Sequence, residues 1–486
     1  MENVHEKCAV VGAFGPDAAE LTALALRAQD HRGPDSTGVG GMTKDGDVEL
    51  HHYPGRAREN LTEERIAHLG SLGIIAAVGH NRYATSGGQG KGQPIRKGEG
   101  SKTIIYAENG TASDTSRLEA DMRDRGGEPA GHNDSEMAAW CVADRVKADA
   151  DIVEAVTDAY DLYVGAHSVV VVGKGPDGEP MVVAYREPTG MRPLSWGQTP
   201  DGSWVVSSET VGLDAAGAVF CGEVPPGGMI TINHEGVQHY QIAEPDPKSD
   251  PLEIIYFSNK KSRFKNVLIG DIREALGRRL AQEYMHWIKD GSVVVGVPNS
   301  AKPFAKGFAE EAAKLRVKLR PDTIKKHQDD RTFIQPDTAA QQALRETIYD
   351  IDPDFVDDED TNAVDDSLFR KNTAPHITRM LRVAGARTVN FFIGSPPIPY
   401  PNFYGINTPT QEELVASYLN IHQIKESVGC DRIGYLSLQG MLDVFFEMTG
   451  EPADHFDLSG FTGKYPVSIG KNAERVRKVD FGAIAA

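Results

Sequence analysis

Cys8 stands at the head of the apolar run CAVVGAF, where a thiol can act as a nucleophile provided a nearby base turns it into a thiolate. Taken alone, it reads better as a buried core cysteine. Two other positions have side chains suited to holding charge. Arg82, in VGHNRYATSGG, presents a planar fork that fits a carboxylate or a structural ion pair. Asp134, in HNDSE, fits an ammonium group or caps the helix that follows. Asn109 and Gly110, in AENGTASD, read by themselves as an Asn-Gly hairpin turn after the strand KTIIYAE. The remaining cysteines, Cys141, Cys221 and Cys430, are far apart and form no CxxC pair, which argues against a zinc site, a disulfide framework or an iron–sulfur cluster.

These residues fall within an ordered set: CAVVGAFG, LRAQDHRGPDSTGVG, VGHNRYATSGG, AENGTASD and HNDSE. One such motif is weak, but the ordered set resembles the class II glutamine amidotransferases, whose nucleophile is N-terminal. The resemblance implies that Cys8 attacks the side-chain amide of glutamine. Its own α-amino group, with a pKa of about 7.7–8.0 in model peptides, would serve as base. Residues 1–7 are then expected to be a propeptide. The resemblance also implies that the Asn109 amide and the Gly110 N–H hold the oxyanion, while Arg82 takes the substrate carboxylate and Asp134 its ammonium. His31, Arg32 and Asp35, in DHRGPDS, match a further signature and are expected to form a scaffold around the nucleophile. Thr111 and Ala112 depart from the Asn or Glu and hydrophobic residue common after Asn-Gly, so the shell supporting that turn differs.

Further on, REPTGMRPLSWG, VVSSETVGLD, GEVPPGGMITI, GVPNSA, RTFIQP, VDDSLFRKNTA and FFIGSPPIPYPNFYGINTPTQEELVA narrow the resemblance to the glutamine phosphoribosylpyrophosphate (PRPP) amidotransferases. It extends from Cys8 to about residue 445. The implied fold is α+β plus α/β: an Ntn-hydrolase-type αββα sandwich, then a type I phosphoribosyltransferase-like parallel sheet. In that second domain Asp365, Asp366 and Ser300 are implied to place Mg²⁺, and Arg331, Ser367, Arg370 and Thr373 to bind PRPP. The chain departs from the family at three points. It reads Arg370-Lys371-Asn372-Thr373 where Arg-Gly-Thr-Thr is usual, losing the close backbone approach that Gly permits. Asp329 and Asp330, in KKHQDDRTFI, bring negative charge toward pyrophosphate. The segment before the acidic pair is DDEDTNAV, with only Ala363 and Val364 apolar, a poor composition for a buried parallel strand.

Positioning these groups requires two kinds of element pattern. Up to about residue 245 the chain has short apolar strands (CAVVGAF, SLGIIAAVGH, KTIIYAEN, HSVVVVG, PMVVAYR, SWVVSSE) with helices predicted at AELTALALRAQDHRG and SEMAAWCVADRV. EPDPKSDP, around residues 244 to 251, reads as a charged link. Beyond it strands alternate with helices, which implies βα units. The expected division is 8–245 for the glutaminase, 252–450 for the phosphoribosyltransferase-like domain and 451–486 for a surface tail.

With 486 residues, 40% hydrophobic and 25% charged, the chain has the composition of a multidomain globular enzyme. Its net charge of -19 argues against a nucleic-acid partner, and no apolar run is long enough for a membrane span. MENVHEK lacks the apolar core of a secretory signal, so a cytoplasmic location is expected. The expected partners are glutamine and PRPP or another phosphorylated acceptor, in a homodimer or homotetramer. Three readings stand at this stage: an amidophosphoribosyltransferase making 5-phosphoribosylamine for purine synthesis, a relative with an active glutaminase and another acceptor in specialised metabolism, and a non-catalytic regulatory subunit.

Overall fold

The computed structural model describes residues 8–82, 92–298, 300–326, 349–370, 373–406 and 410–479. Alternation of apolar residues in the first half builds two antiparallel sheets that lie face to face. The first, in the order β11-β9-β10-β1-β4-β2-β3, comprises β1 (Ala9–Phe14), β2 (Ser36–Thr43), β3 (Val48–Pro54), β4 (Ile74–Arg82), β9 (Ser195–Gln198), β10 (Trp204–Ser207) and β11 (Val219–Glu223). The second, in the order β13-β12-β8-β7-β6-β5, comprises β5 (Ile95–Lys97), β6 (Ile104–Asp114), β7 (Val164–Lys174), β8 (Pro180–Arg186), β12 (Gly228–Asn233) and β13 (Gly236–Gln241).

The period of two sorts each strand between layers. Val10 and Phe14 of β1, Ala76 and Val78 of β4, Ile105 and Ala107 of β6, and Val170 and Val172 of β7 form the core between the sheets. The alternate residues Ala9, Val11 and Ala13 face the helices Ala18–Ala28, Glu63–Gly70 and Thr210–Ala215. On the far side, Ile104, Tyr106, Val169 and Val171 meet the helices Ser116–Asp124, Asp134–Lys147 and Ile152–Ala159. The layering is therefore αββα.

In the second half, two short antiparallel strand pairs accompany the main sheet: β14 (Arg263–Phe264) with β15 (Val267–Leu268), and β18 (Ile324–Lys326) with β19 (Tyr349–Ile351). The main sheet is five-stranded and parallel, in the order β17-β16-β20-β21-β22, from β16 (Val293–Gly296), β17 (Lys318–Leu319), β20 (Asp360–Asp365), β21 (Thr388–Ile393) and β22 (Arg432–Tyr435). One face packs on Ile272, Leu276, Phe304 and Phe308, the other on Ile377, Leu381 and Ile424.

Two expectations are corrected. The DTNAV part of DDEDTNAV does form a strand, β20, and it is buried between β16 and β21. Its polar residues are satisfied sideways: Asn362 Nδ2 donates to Ser292 Oγ at 3.0 Å, and Asn390 Nδ2 donates to Asn362 Oδ1 at 3.1 Å. At its start, Asp360 accepts from Lys289 Nζ at 2.7 Å and Thr388 Oγ1 at 2.6 Å. A polar residue is tolerated in a central strand when each group finds a partner in the neighbouring strands. The segment after residue 451 is not a surface tail over its described part. Phe456, Phe461 and Ile469 are buried, the Tyr404 hydroxyl donates to Val467 O at 2.6 Å, and Ser113 Oγ of β6 donates to Ser468 O at 2.6 Å. The segment thus straps the second half to the first. The link around 244 to 251 is also pinned, with Asp246 N and Lys248 N donating to Pro188 O and Thr189 O. No helix among the described residues is long and apolar enough to cross a membrane.

Replacing Asn362 by Leu leaves the buried Asn390 amide without its acceptor, and the expected cost is about 1–3 kcal/mol of unfolding free energy in urea titration. A loss below about 0.5 kcal/mol would mean the side-chain ladder is not structural.

Candidate functional site

Cys8 immediately precedes β1, and β1 pairs with β4 through Ala9 opposite Asn81. Carried one residue further, that register puts Cys8 across from Arg82. Counting by twos from Val10 and Val78 places Cys8, His80 and Arg82 on the inter-sheet face, and counting from Ala107 places Asn109 there too. His80 Nε2 lies 2.9 Å from Glu108 O and so clips β4 to β6 at this end of the sandwich. Burial pushes the His80 imidazole down to about 3, so it stays neutral and donates to that carbonyl. Cys8, Arg82 and Asn109 are thereby gathered at one end of the interlayer space.

Asn109 does not sit in a hairpin turn. β6 runs unbroken from Ile104 to Asp114, with Asn109 opposite Ser168 and Gly110 opposite His167. The Asn109 side chain is 4% exposed, and its Nδ2 has no hydrogen-bond acceptor among the described residues. A buried amide donor left open is costly unless something is meant to meet it. A Cβ on Gly110 would come within 2.5 Å of Ala166 O, so only glycine lets β6 lie this close to β7.

Asp134 is the first residue of the helix Asp134–Lys147, and the cap is Asn133, whose side chain forms a capping box with Glu136. Asp134 is half-buried and accepts from Ala112 N and Ser135 N, each at 3.0 Å. Desolvation nonetheless holds its carboxyl above the ordinary range. Behind it lies a group the sequence reading passed over. Glu108, 1% exposed, receives hydroxyl bonds from Tyr106 at 2.6 Å, Ser135 at 2.8 Å and Tyr163 at 2.9 Å. Burial, then the charge of Asp134, pushes its carboxyl up to about 7. A Glu inside the apolar run TIIYAEN was the available signal.

The DHRG signature supplies the support beneath Cys8. Arg32 is fully buried; its Nε donates to Cys8 O at 3.0 Å, Nη1 to Glu209 at 2.7 Å, and Nη1 and Nη2 to the two oxygens of Glu253 at 3.0 and 2.9 Å. Burial disfavours its charge, but the two carboxylates outweigh that and keep it protonated. Gly33 permits the loop to press on β4, since a Cβ there would meet Asn81 C at 2.5 Å and Arg82 N at 2.6 Å. Asp35 N donates to Arg82 O at 3.1 Å. Glu209 also takes His31 Nε2 at 2.8 Å, and Glu253 takes Arg192 Nη1 at 3.0 Å. Glu209, Arg192 and Glu253 went unread because nothing in SSETVG, GMRP or PLEIIYF announces a partner some distance away in sequence.

In the second half, the acidic pair ends β20, and Ser300, which follows β16, hydrogen-bonds Asp366 through its hydroxyl. Ser367 Oγ donates to Asp366 at 2.7 Å, and Asp366 N to Asp365 at 2.9 Å. Burial and the adjacent Asp366 hold the Asp365 carboxyl well above its usual range. Thr373 opens the helix Thr373–Val383. Arg370, expected to bind PRPP, is paired with Glu413. Arg331, with Asp329, Asp330, Lys371 and Asn372, lies outside the described residues.

Comparison with known proteins follows the same division. Residues 80–215 match the family described as a glutamine amidotransferase domain. Over 96% of its length the chain is 33% identical to an amidophosphoribosyltransferase of Synechocystis sp., covering 92% of that protein, and 32% identical to that of Bacillus subtilis, covering 96% of it. The chain belongs to the amidophosphoribosyltransferase family. Solved structures agree: the B. subtilis glutamine PRPP amidotransferase complexed with ADP and GMP superposes with a TM-score of 0.85 at 30% identity, over 96% of this chain and 98% of that one. A second structure, described as the allosteric regulatory enzyme of purine biosynthesis, gives 0.84 at 28% identity, over 97% and 99% of the two chains. This member of the amidophosphoribosyltransferase family keeps the family's two sheet systems and joins them through Arg32.

Burial tends to raise the Glu253 carboxyl, but Arg32 and Arg192 overcome it and hold it at about 2. A carboxyl depressed on folding adds stability that is complete above its unfolded value of about 4.5 and is lost as pH falls toward 2. Arg32→Met is expected to cost about 3–5 kcal/mol, because two buried carboxylates lose their shared cation. The acid limb of a plot of Tm against pH should be shallower in the variant, because Glu253 is no longer held as far below its unfolded value, and limbs of equal slope would contradict this account.

Proposed function

We infer that this chain hydrolyses glutamine at Cys8 and passes the ammonia to C1 of PRPP, displacing pyrophosphate to give 5-phosphoribosylamine. What supports the first half is the unpartnered, buried Asn109 amide on the same face as Cys8. In this reading residues 1–7 are removed and the freed α-amino group of Cys8 takes the thiol proton. The thiolate attacks the γ-carbon of glutamine, and the oxyanion is met by Asn109 Nδ2 and the Gly110 N–H. The proton held by the amino group goes to the leaving ammonia. Arg82 receives the substrate carboxylate and Asp134 its ammonium. Arg32 holds the Cys8 carbonyl so that the amino group and thiol keep their orientation.

The acceptor half rests on residues 252–450, and the glutaminase on residues 8–245. Asp365, Asp366 and Ser300 converge beyond the carboxyl ends of β16 and β20, where open parallel sheets bind ligands. The desolvated, adjacent carboxylates fit a hard divalent cation, and Asp365, Asp366 and Ser300 would hold Mg²⁺ there. Such an ion would offset negative charge on pyrophosphate as it leaves. Ser367 and Thr373 flank the loop that takes the 5′-phosphate at the start of a helix.

Asn109→Ala is expected to lower kcat for glutamine hydrolysis about 10²–10³-fold, by loss of an oxyanion donor, with little change in KM. Purified active protein should begin at Cys8; hydrolysis by protein that retains Met1 overturns the mechanism at Cys8. Calorimetry with PRPP and Mg²⁺ should show binding, and Asp366→Asn should weaken it at least about tenfold. Glutamate release without PRPP-dependent pyrophosphate release would assign the ammonia to another acceptor.

A further inference from the structure

Glu108 is a buried carboxyl that the mechanism above leaves unused. Its neighbours from every packed element are identifiable. Tyr106 comes from its own strand, Tyr163 from the segment leading into β7, and Ser135 from the helix Asp134–Lys147. Gln93 Oε1 accepts from the Glu108 backbone N–H at 2.8 Å, and His80 of β4 meets its carbonyl. His167 of β7 packs at 4.2 Å from the Tyr163 ring and at 5.9 Å from Tyr185 of β8. Burial drives the His167 imidazole down to about 3, so both histidines are neutral. Arg82 lies two residues beyond His80 on β4. Among the described residues no cation pairs with Glu108; its polar partners are three hydroxyls, and the acid nearest its electrostatic environment is Asp134.

The two carboxyls are wired together. Tyr163 Oη lies 2.9 Å from Glu108 Oε1 and 3.4 Å from Asp134 Oδ2, and Ser135, bonded to Glu108, directly follows Asp134. A cluster of neutral hydroxyls can stabilise Glu108 either ionised or protonated, because each hydroxyl can donate or accept. Nothing else in the cluster fixes its charge.

We propose that Glu108 is a positioning and charge-setting residue of the glutamine site: it is protonated when the site is empty, and ionises when the substrate's α-ammonium settles on Asp134, adding a second negative charge behind the first. This rests on the assignment of Asp134 to the ammonium. The proton passes to solvent through the Tyr163 hydroxyl and Asp134 side, so glutamine binding releases one proton. The desolvated position of Glu108, with its carboxyl near neutrality, is consistent with such exchange. Glutamine should therefore bind more tightly as pH rises through about 7, the direction expected of a ligand that favours the ionised acid.

The test uses the processed, full-length enzyme, with glutamine as substrate and glutaramate, which is glutamine without its α-amino group, as a competing ligand. In the wild type, KM for glutamine should fall between about pH 6 and pH 8, while the inhibition constant of glutaramate stays level. Glu108→Gln should abolish that slope and raise KM for glutamine about tenfold at the upper pH, with kcat and glutaramate binding unchanged. Tyr163→Phe, which keeps Glu108 but removes a donor to its ionised form, should move the inflection to higher pH. A Glu108→Gln enzyme that weakens glutamine and glutaramate equally overturns the proposal in favour of a packing role, as does an unchanged pH slope. Asp134→Asn separates the two levels: if it too spares the preference for glutamine over glutaramate, the ammonium assignment fails, whereas a preference lost in Asp134→Asn and kept in Glu108→Gln rejects the role of Glu108 alone.

Discussion

A single guanidinium organises this molecule. Arg32 is enclosed between Glu209 of the first sheet system and Glu253 at the entrance to the second, with its Nε on the carbonyl of Cys8. Charges removed from water are stable only when paired and fully hydrogen-bonded, so each of these groups needs the others in place. Arg192 reinforces the arrangement from Glu253 to the carbonyl of Tyr404. The two halves of the chain consequently share buried polar atoms, where independently folding domains would present a wet interface. Tyr256, three residues after Glu253, lies in the field of Asp365 and Asp366, so the same short π-helical turn touches the environment of both sites.

Strand positions in the first half were legible because apolar alternation and motif spacing agree there. CAVVGAF, SLGIIAAVGH, KTIIYAEN and HSVVVVG all became strands, and helices formed at Ala18–Ala28 and Asp134–Lys147, the first stopping before the DHRG that was read into it. What resisted reading was local chemistry overruled by tertiary pairing. Asn-Gly is a strong turn signal, yet the two residues lie mid-strand because β7 supplies a full ladder opposite them. DDEDTNAV looks unfit for a core, yet its buried Asn362 and Asp360 side chains are answered by Ser292, Asn390 and Lys289, none of which is near in sequence. The helix cap is Asn133, one residue before the Asp134 that the sequence offered, and it forms a capping box with Glu136.

Site residues divide along the same line. Cys8, Arg82, Asn109 and Asp134 stand out in the sequence by type and order; the sandwich brings Cys8, Arg82 and Asn109 to one end of the interlayer space, and Asp134 meets β6 at Ala112. Their supporting residues do not stand out, because Glu108, Glu209, Arg192 and Glu253 act through contacts made only after folding. In the acceptor half, Arg370 has the residue type of a phosphate ligand, and its partner Glu413 comes from the short helical turn Gln411–Glu413 far along the chain.

The side-chain ladder of Ser292, Asn362 and Asn390 has a consequence for geometry as well as stability. Apolar side chains in a buried parallel sheet are interchangeable enough that neighbouring strands can slide by a pleat and still bury similar surface. Amides that must meet a specific neighbour cannot tolerate such a shift. The ladder therefore acts as a vernier that fixes how far β20 extends past β16, and with it the height at which Asp365 and Asp366 emerge beside Ser300. A strand that looks too polar for its place is what sets the longitudinal alignment of the carboxylates at its end.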